Sequence, residues 1–110
     1  MLRSRITIEL HLRLGGAHGR LGQAGPARTA LETARTAFEG RLRLGADDPF
    51  TRYYAAGIYA QLGETDEALA CLERAAAERR ALTVARARTE PELEPLRGEP
   101  RFQALIREAE

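Results

Sequence analysis

Two segments of this 110-residue chain can be laid over each other, and this internal repeat constrains the fold more than any other feature. Each segment contains a Leu-Gly pair, Leu21-Gly22 in the first and Leu62-Gly63 in the second. After each glycine, an alanine, a leucine and a second alanine follow at the same spacing: Ala27, Leu31 and Ala34, then Ala68, Leu72 and Ala75. Their i, i+4, i+7 spacing is that of one helix face, and glycine tolerates the positive φ of a tight turn. The repeat therefore predicts two helical hairpins.

This pattern resembles the tetratricopeptide repeat, in which two antiparallel helices meet through small residues at their closest approach. The packing step of the first helix matches Leu14-Gly15 in the first repeat and Ala55-Ala56 in the second. The turn glycines of the two repeats are 41 residues apart, whereas the family period is 34 residues. Because the extra residues add about two helical turns, the resemblance implies a longer second helix in the first hairpin.

Together these features predict a single all-α domain over residues 1–110, with two antiparallel, tetratricopeptide-like hairpins, a proline-rich turn and a short C-terminal capping helix. Pro91, Pro95 and Pro100 exclude a long helix near the end of the chain. This tail resembles the closing segment of many bacterial tetratricopeptide proteins. The predicted divisions are a leader at 1–7, the first hairpin at 8–47, the second hairpin at 48–80 and the end cap at 81–110.

Glycine, aspartate, threonine and proline mark the expected helix ends. We expect Gly45 to stop the second helix, and Asp48 followed by Pro49 to start the third. Thr65 is expected to cap the fourth helix. The last helix is expected to begin at Pro100 and to bury three apolar side chains: Phe102, Leu105 and Ile106.

One pattern conflicts with a purely helical interpretation, because apolar and polar residues alternate strictly over residues 5–14. Alternation by itself is typical of a strand with one buried face. The chain offers no partner strand, and an isolated strand is not stable, so a helix is favoured over the strand alternative. The alternating apolar residues are Ile6, Ile8, Leu10, Leu12 and Leu14.

Composition narrows the class of protein. The net charge is +1, so the chain has no overall electrostatic signature for binding nucleic acid or a membrane surface. No stretch approaches the roughly 20 apolar residues of a membrane-spanning helix. The start of the chain lacks the pattern of a signal peptide, and the single cysteine, Cys71, excludes an intrachain disulfide. A cytoplasmic protein is therefore expected.

The residues that could carry chemistry form no recognisable catalytic pattern. A nucleophilic Cys71 would need a base and an orienting group, and the sequence places neither. His11 and His18 share a helix face but fall short of the three or four ligands of a metal site. The glutamates of the proline-rich turn are interpreted as a solvated loop: Glu90, Glu92, Glu94 and Glu99. We therefore expect no enzymatic activity, no metal and no cofactor.

The resemblance to tetratricopeptide proteins implies a groove, lined by the first helix of each hairpin, in which a peptide or a partner helix binds. Phe50 and Tyr53 are either the anchors of such a ligand or packing residues against the first repeat. Arg20 is expected to pair with an acidic group of the ligand. The implied groove positions are Glu9, Leu12, Gly16, Arg20, Phe50, Tyr53, Gly57 and Gln61.

The first helix is expected to expose an apolar edge that includes Ile6, Ile8 and Leu10, because two repeats alone leave this helix uncovered. The leading hypothesis is a non-enzymatic protein–protein interaction module, which binds a protein or peptide in its groove or forms a homo-oligomer through this edge. The alternative hypothesis is the C-terminal part of a larger bacterial regulator, such as a transcription factor, cyclase or kinase, in which the module positions a partner.

Overall fold

The computed structural model describes the backbone of residues 2–108 and the side chains of residues 5–107, and within these ranges it is all-helical, with no β-strand. Residues 1, 109 and 110 of the predicted domain lie outside the described part. Over the described residues there are six α-helices and one 3₁₀ helix: α1 (Leu2–Arg20), α2 (Ala24–Arg43), α3 (Pro49–Gln61), α4 (Thr65–Glu78), α5 (Arg80–Ala87), the 3₁₀ helix (Pro91–Leu96) and α6 (Pro100–Glu108). The all-α prediction is confirmed.

Helix α1 starts earlier than the sequence predicts. It begins at Leu2, so residues 2–7 belong to the first helix and do not form a separate leader over 1–7. The alternating stretch at 5–14 lies entirely within this helix. The choice of helix over strand is therefore confirmed.

The alternation in α1 produces two apolar faces. Because a helix turns by about 100° per residue, residues two apart lie on nearly opposite sides. Ile8 and Leu12 are buried in the core, whereas Ile6, Leu10 and Leu14 remain 57%, 51% and 40% exposed. The prediction that Ile8 lies on the exposed edge is wrong, because that side chain faces the opposite way from Ile6 and Leu10.

Helices α1 and α2 pack along each other as the first hairpin. The predicted turn and stop glycines all have positive φ, with +76° at Gly22, +83° at Gly45 and +82° at Gly63. At Gly15 the two helices approach so closely that a Cβ would lie 2.6 Å from Cγ of Leu31. Helix α2 is the longer second helix, with 20 residues against 14 in α4. Its buried apolar face contains Ala27, Ala30, Leu31, Ala34 and Phe38.

Helices α3 and α4 pack together as the second hairpin. Asp48 caps α3 as predicted, because its Oδ1 accepts a hydrogen bond from the backbone N–H of Thr51 at 2.9 Å. Thr65 does not cap α4, because it is the first residue of the helix and the preceding Glu64 makes no side-chain capping bond. Glu64 instead forms an ion pair with Arg35 of α2. A local capping pattern in the sequence cannot predict this long-range contact.

The end cap contains more structure than a turn and one helix. Helix α5 follows α4 directly, and the 3₁₀ helix then contacts both α1 and α3. Helix α6 begins at Pro100 as predicted and contacts α4 and α5. Phe102 and Leu105 are buried, and Ile106 is partly buried against the core. The chain therefore turns back from the second hairpin to lie across the first helices of both hairpins.

Candidate functional site

The predicted groove lies between α1 and α3, and the chain's own residues 90–96 fill part of it. We call these residues the acidic segment. The side-chain amide of Gln61 donates a hydrogen bond to the main-chain carbonyl of Glu92 at 2.9 Å. The hydroxyl of Tyr53 donates to Oε1 of Glu90 at 2.8 Å. The acidic segment thus occupies the position that the sequence assigned to a peptide ligand.

Small residues in α1 and α3 make room for the acidic segment. A Cβ on Gly16 would lie 2.7 Å from Oε1 of Glu92. A Cβ on Gly57 would lie 3.4 Å from the Cβ of Glu92 and 3.0 Å from Cδ2 of Leu12. Leu12 itself is buried in the core. The prediction that Leu12, Gly16 and Gly57 face an external ligand is therefore wrong, because they pack against the chain itself.

The central cation of the groove is Arg13, which the sequence analysis missed. Its guanidinium donates to Oε2 of Glu90 and, at 3.1 Å, to Oε2 of Glu92. Arg20 lies 3.9 Å from Oε1 of Glu92, so the acid nearest this predicted ligand-binding residue is the chain's own. Arg13 follows the predicted groove residue Glu9 by four positions. Helical phase alone could therefore have placed it in the groove.

The glutamates of the proline-rich turn are not all solvated, and that prediction is wrong for two of them. Glu90 and Glu92 are only 8% and 2% exposed, whereas Glu94 is exposed. Arg97 also orders the segment, because it donates to the main-chain carbonyls of Ala87 at 3.2 Å and Glu90 at 3.1 Å. Carboxylates can be buried here because guanidinium and hydroxyl donors are within reach.

The two buried carboxyl groups have pKa values shifted in opposite directions. Burial raises the pKa of Glu92, and a hydrogen bond shared with Glu90 raises it further. Burial also disfavours ionised Glu90, but hydrogen bonds from Arg13 and Tyr53 outweigh this effect and hold its pKa below the ordinary value. Burial, reinforced by Glu90, raises the pKa of Tyr53, so its hydroxyl remains a donor at neutral pH.

Glutamine substitutions at these two positions are expected to differ in their effect on stability. The lowered pKa of Glu90 contributes stability above its unfolded value of about 4.3, and this contribution is lost as the pH falls. Glu90→Gln should therefore lower the free energy of unfolding by about 1.5–3 kcal/mol at neutral pH, because charged hydrogen bonds are lost. The raised pKa of Glu92 contributes stability only at low pH, and this contribution is lost as the pH rises through the raised pKa.

Relative to the parent chain, Glu90→Gln should therefore lose stability and Glu92→Gln should gain stability between about pH 3 and pH 7, an interval that spans the unfolded pKa of about 4.3. Urea unfolding followed by circular dichroism at both pH values measures the difference. Equal losses in the two variants at both pH values would contradict the assignment of the ionised carboxylate to Glu90.

The N-terminal half of the predicted groove carries arginines stacked on aromatic rings. The guanidinium carbons of Arg5 and Arg79 each lie 5.8 Å from the ring centroid of Phe50. Arg86 lies 4.5 Å from the centroid of Tyr53, which is buried, whereas Phe50 is only partly buried. Tyr53 is therefore a packing residue. A crevice between α3 and α5 adjoins these groups and is lined by Pro49, Phe50, Tyr53, Arg79, Leu82, Thr83 and Arg86.

We call Arg5, Phe50, Arg79, Leu82 and Arg86 the arginine–aromatic surface. Its arginines come from α1, from the junction of α4 with α5, and from α5. Tertiary packing therefore brings together residues that are up to 81 positions apart in the sequence. Of this set, only Phe50 is among the groove positions predicted from the sequence.

The single thiol lies away from the groove. Burial raises the pKa of Cys71, although Arg52, whose guanidinium is 3.8 Å from the sulfur, opposes the shift. A thiol that stays protonated is a weak nucleophile. Across the described side chains, no group of three His, Cys, Asp or Glu residues is arranged to hold a metal ion. None of the described helices is both long and apolar enough to cross a membrane.

The candidate site thus has two parts, a groove closed by the acidic segment and an arginine–aromatic surface beside it. We define this site from the geometry of the chain alone, because no family model, no curated protein and no solved structure matches the chain.

Proposed function

We propose that this chain is a non-enzymatic protein–protein interaction module of two tetratricopeptide-like hairpins, and that it binds a second copy of itself through α1. The observation that carries the proposal is the row of exposed aliphatic side chains Ile6, Leu10 and Leu14, which we call the apolar ridge. Contiguous exposed apolar side chains are typical of interaction sites.

The spacing of the apolar ridge favours contact with another helix. Residues at i, i+4 and i+8 form the row that interdigitates in the commonest class of helix pairs, with a crossing angle near −50°. A second copy presents the same row, so a two-fold contact brings identical ridges together. We therefore favour self-association over binding of an unrelated helix.

A shallow groove beside the ridge adds contact area. Two of its lining residues are charged, Arg28 and Glu32, and they lie 3.8 Å from each other as an i, i+4 pair. The interface therefore does not require burial of an unbalanced charge there. The remaining lining residues are short and uncharged: Thr7, Thr29, Thr33, Thr36 and Ala37.

The free energy available from the ridge predicts a dimer that dissociates on dilution. Full burial of a leucine or isoleucine contributes about 1.5–3 kcal/mol, and these side chains are already about half buried. The ridges of two copies then contribute about 6 kcal/mol in total, which is comparable to the association cost of about 4–15 kcal/mol. The adjoining groove must therefore contribute for the dimer to be stable.

Molar mass in solution tests this proposal. Size-exclusion chromatography with light scattering over a concentration series is expected to give a dimer that dissociates on dilution. Leu10→Arg places a charge at the centre of the ridge and is expected to leave a monomer at every concentration, because an unpaired buried charge is costly.

Leu44→Arg is the matched control, since Leu44 is 80% exposed at the end of α2 and lies outside the ridge. This control is expected to dimerise like the parent chain. A parent chain that remains monomeric at the highest concentration would overturn the proposal, as would a Leu10→Arg variant that still dimerises.

A further inference from the structure

The arginine–aromatic surface carries more positive charge than its surroundings neutralise. Within the described residues, Arg5, Arg79 and Arg86 have no carboxylate within 4.0 Å, unlike Arg13, which pairs with two glutamates. Glu90 attracts Arg86 but also accepts a hydrogen bond from Arg13. The exposed Glu9 is the one acidic residue among the predicted groove positions of α1, and it balances one charge at most. The surface therefore favours an anionic ligand.

The chain's own acidic segment indicates which anion fits this face. In the adjoining half of the groove, Glu90 and Glu92 bind Arg13 through their carboxylates. Tyr53 donates to the first of these carboxylates, and Gln61 binds the main chain at the second. The face thus already holds a peptide with carboxylates two residues apart, through contacts to both side chains and backbone.

The aromatic rings of this surface favour a peptide over a single-stranded nucleic acid. Base stacking requires open ring faces. Phe50 has guanidinium groups from both Arg5 and Arg79 near its ring, and Tyr53 is buried. The groups that remain open to a ligand are the outer N–H donors of the arginines and the exposed aliphatic side chain of Leu82.

We propose that the arginine–aromatic surface binds an acidic peptide segment of a partner protein. Its carboxylates accept hydrogen bonds from Arg5, Arg79 and Arg86, and an apolar side chain of the segment packs against the exposed side chain of Leu82. This binding surface is separate from the apolar ridge, so it extends the function beyond self-association.

Fluorescence anisotropy with two short labelled peptides tests this inference. One peptide alternates glutamate with leucine, and the other has glutamine at every glutamate position. The glutamate peptide is expected to bind at least about tenfold more tightly at low salt and to weaken as salt is added, because exposed ion pairs are screened. Arg5→Gln and Arg79→Gln are each expected to weaken binding about two- to fivefold, the range of one exposed ion pair.

The matched control is Arg43→Gln, which removes an exposed arginine of α2 and should leave the affinity unchanged. Thermal unfolding of all variants checks that they fold alike. Leu10→Arg should also bind the peptide normally, so failure of the dimer and failure of this surface can be told apart.

Three results would overturn the proposal: no binding of the glutamate peptide, equal affinity for the glutamine peptide, or unchanged affinity in both Arg5→Gln and Arg79→Gln. A single-stranded oligouridine that displaces the peptide and binds more tightly than it would also overturn the proposal, in favour of a nucleic acid ligand.

Discussion

Alanine at Leu93 is expected to lower the free energy of unfolding by about 2–5 kcal/mol, the range for a leucine-to-alanine change in a packed core. Leu93 is 0% exposed and lies at the centre of the acidic segment. A domain of this size has about 5–15 kcal/mol of total stability, so the loss is a large fraction of it. Thermal and urea unfolding, followed by circular dichroism, measure the change.

Leu44→Ala makes the same chemical change at a side chain that is 80% exposed. This control should stay within about 0.5 kcal/mol of the parent chain. A Leu93→Ala variant that is no less stable than Leu44→Ala would mean that the acidic segment does not pack in the groove in solution. The groove would then be open to peptides, as the sequence predicts.

Alanine at Gly15 is expected to destabilise the protein by about 1–3 kcal/mol, the usual cost of overpacking a core. A Cβ at this position would lie 2.6 Å and 2.7 Å from Cγ and Cδ2 of Leu31, which is itself buried. Its third neighbour is the main-chain oxygen of Ala27 at 3.3 Å, which cannot move without shifting α2. The hairpin must open for the methyl group to fit.

Gly19→Ala is the matched comparison in the same helix, and we expect it to change the free energy of unfolding in the opposite direction. The nearest atom to its Cβ would be Oε1 of Gln61 at 4.0 Å, so there is room for the methyl group. Alanine should then stabilise α1 by about 0.5–1 kcal/mol, because glycine loses more backbone entropy in a helix.

Chemical denaturation of these two variants and the parent chain provides the measurement. If Gly15→Ala and Gly19→Ala change stability in the same direction, then α1 and α2 do not approach each other at Gly15 as closely as described here.

The closed groove changes where partners are sought on this protein. Five predicted groove residues contact the acidic segment or lie against it: Gly16, Arg20, Tyr53, Gly57 and Gln61. The surfaces that we propose for binding, the apolar ridge and the arginine–aromatic surface, lie outside the filled half. The acidic segment itself is held by core side chains as well as by ion pairs, since Leu93 and Leu96 are fully buried.

Most of the local structure could be predicted because its signals are local. Gly22, Gly45 and Gly63 mark helix ends because glycine adopts positive φ without the strain caused by a side chain. Asp48 starts α3 because a side-chain oxygen satisfies an N–H group that the helix leaves without a partner. Helical spacing in α2 identified its buried face.

The errors about capping and burial involve contacts between residues that are distant in sequence. Thr65 matches a capping residue, but the neighbouring Glu64 pairs with Arg35, 29 positions away. The alternation in α1 contains two apolar faces, and only the packing of the other helices decides that Ile8 is buried and Leu10 is not. The spacing of apolar residues identifies a helix and its apolar faces. It does not determine which of these faces packs against a neighbouring helix.

The sequence by itself determined that this chain is helical, where its main turns lie, and that its repeats form hairpins. Only the tertiary structure decided that the acidic segment closes the groove, because the contact of Arg13 with Glu90 spans 77 positions. The sequence predicts that glutamates beside prolines are solvated. In the fold, an arginine and a tyrosine hydroxyl from other helices lie within hydrogen-bonding distance and allow these glutamates to be buried. Burial of a charge depends on such partners, which only the folded chain brings together.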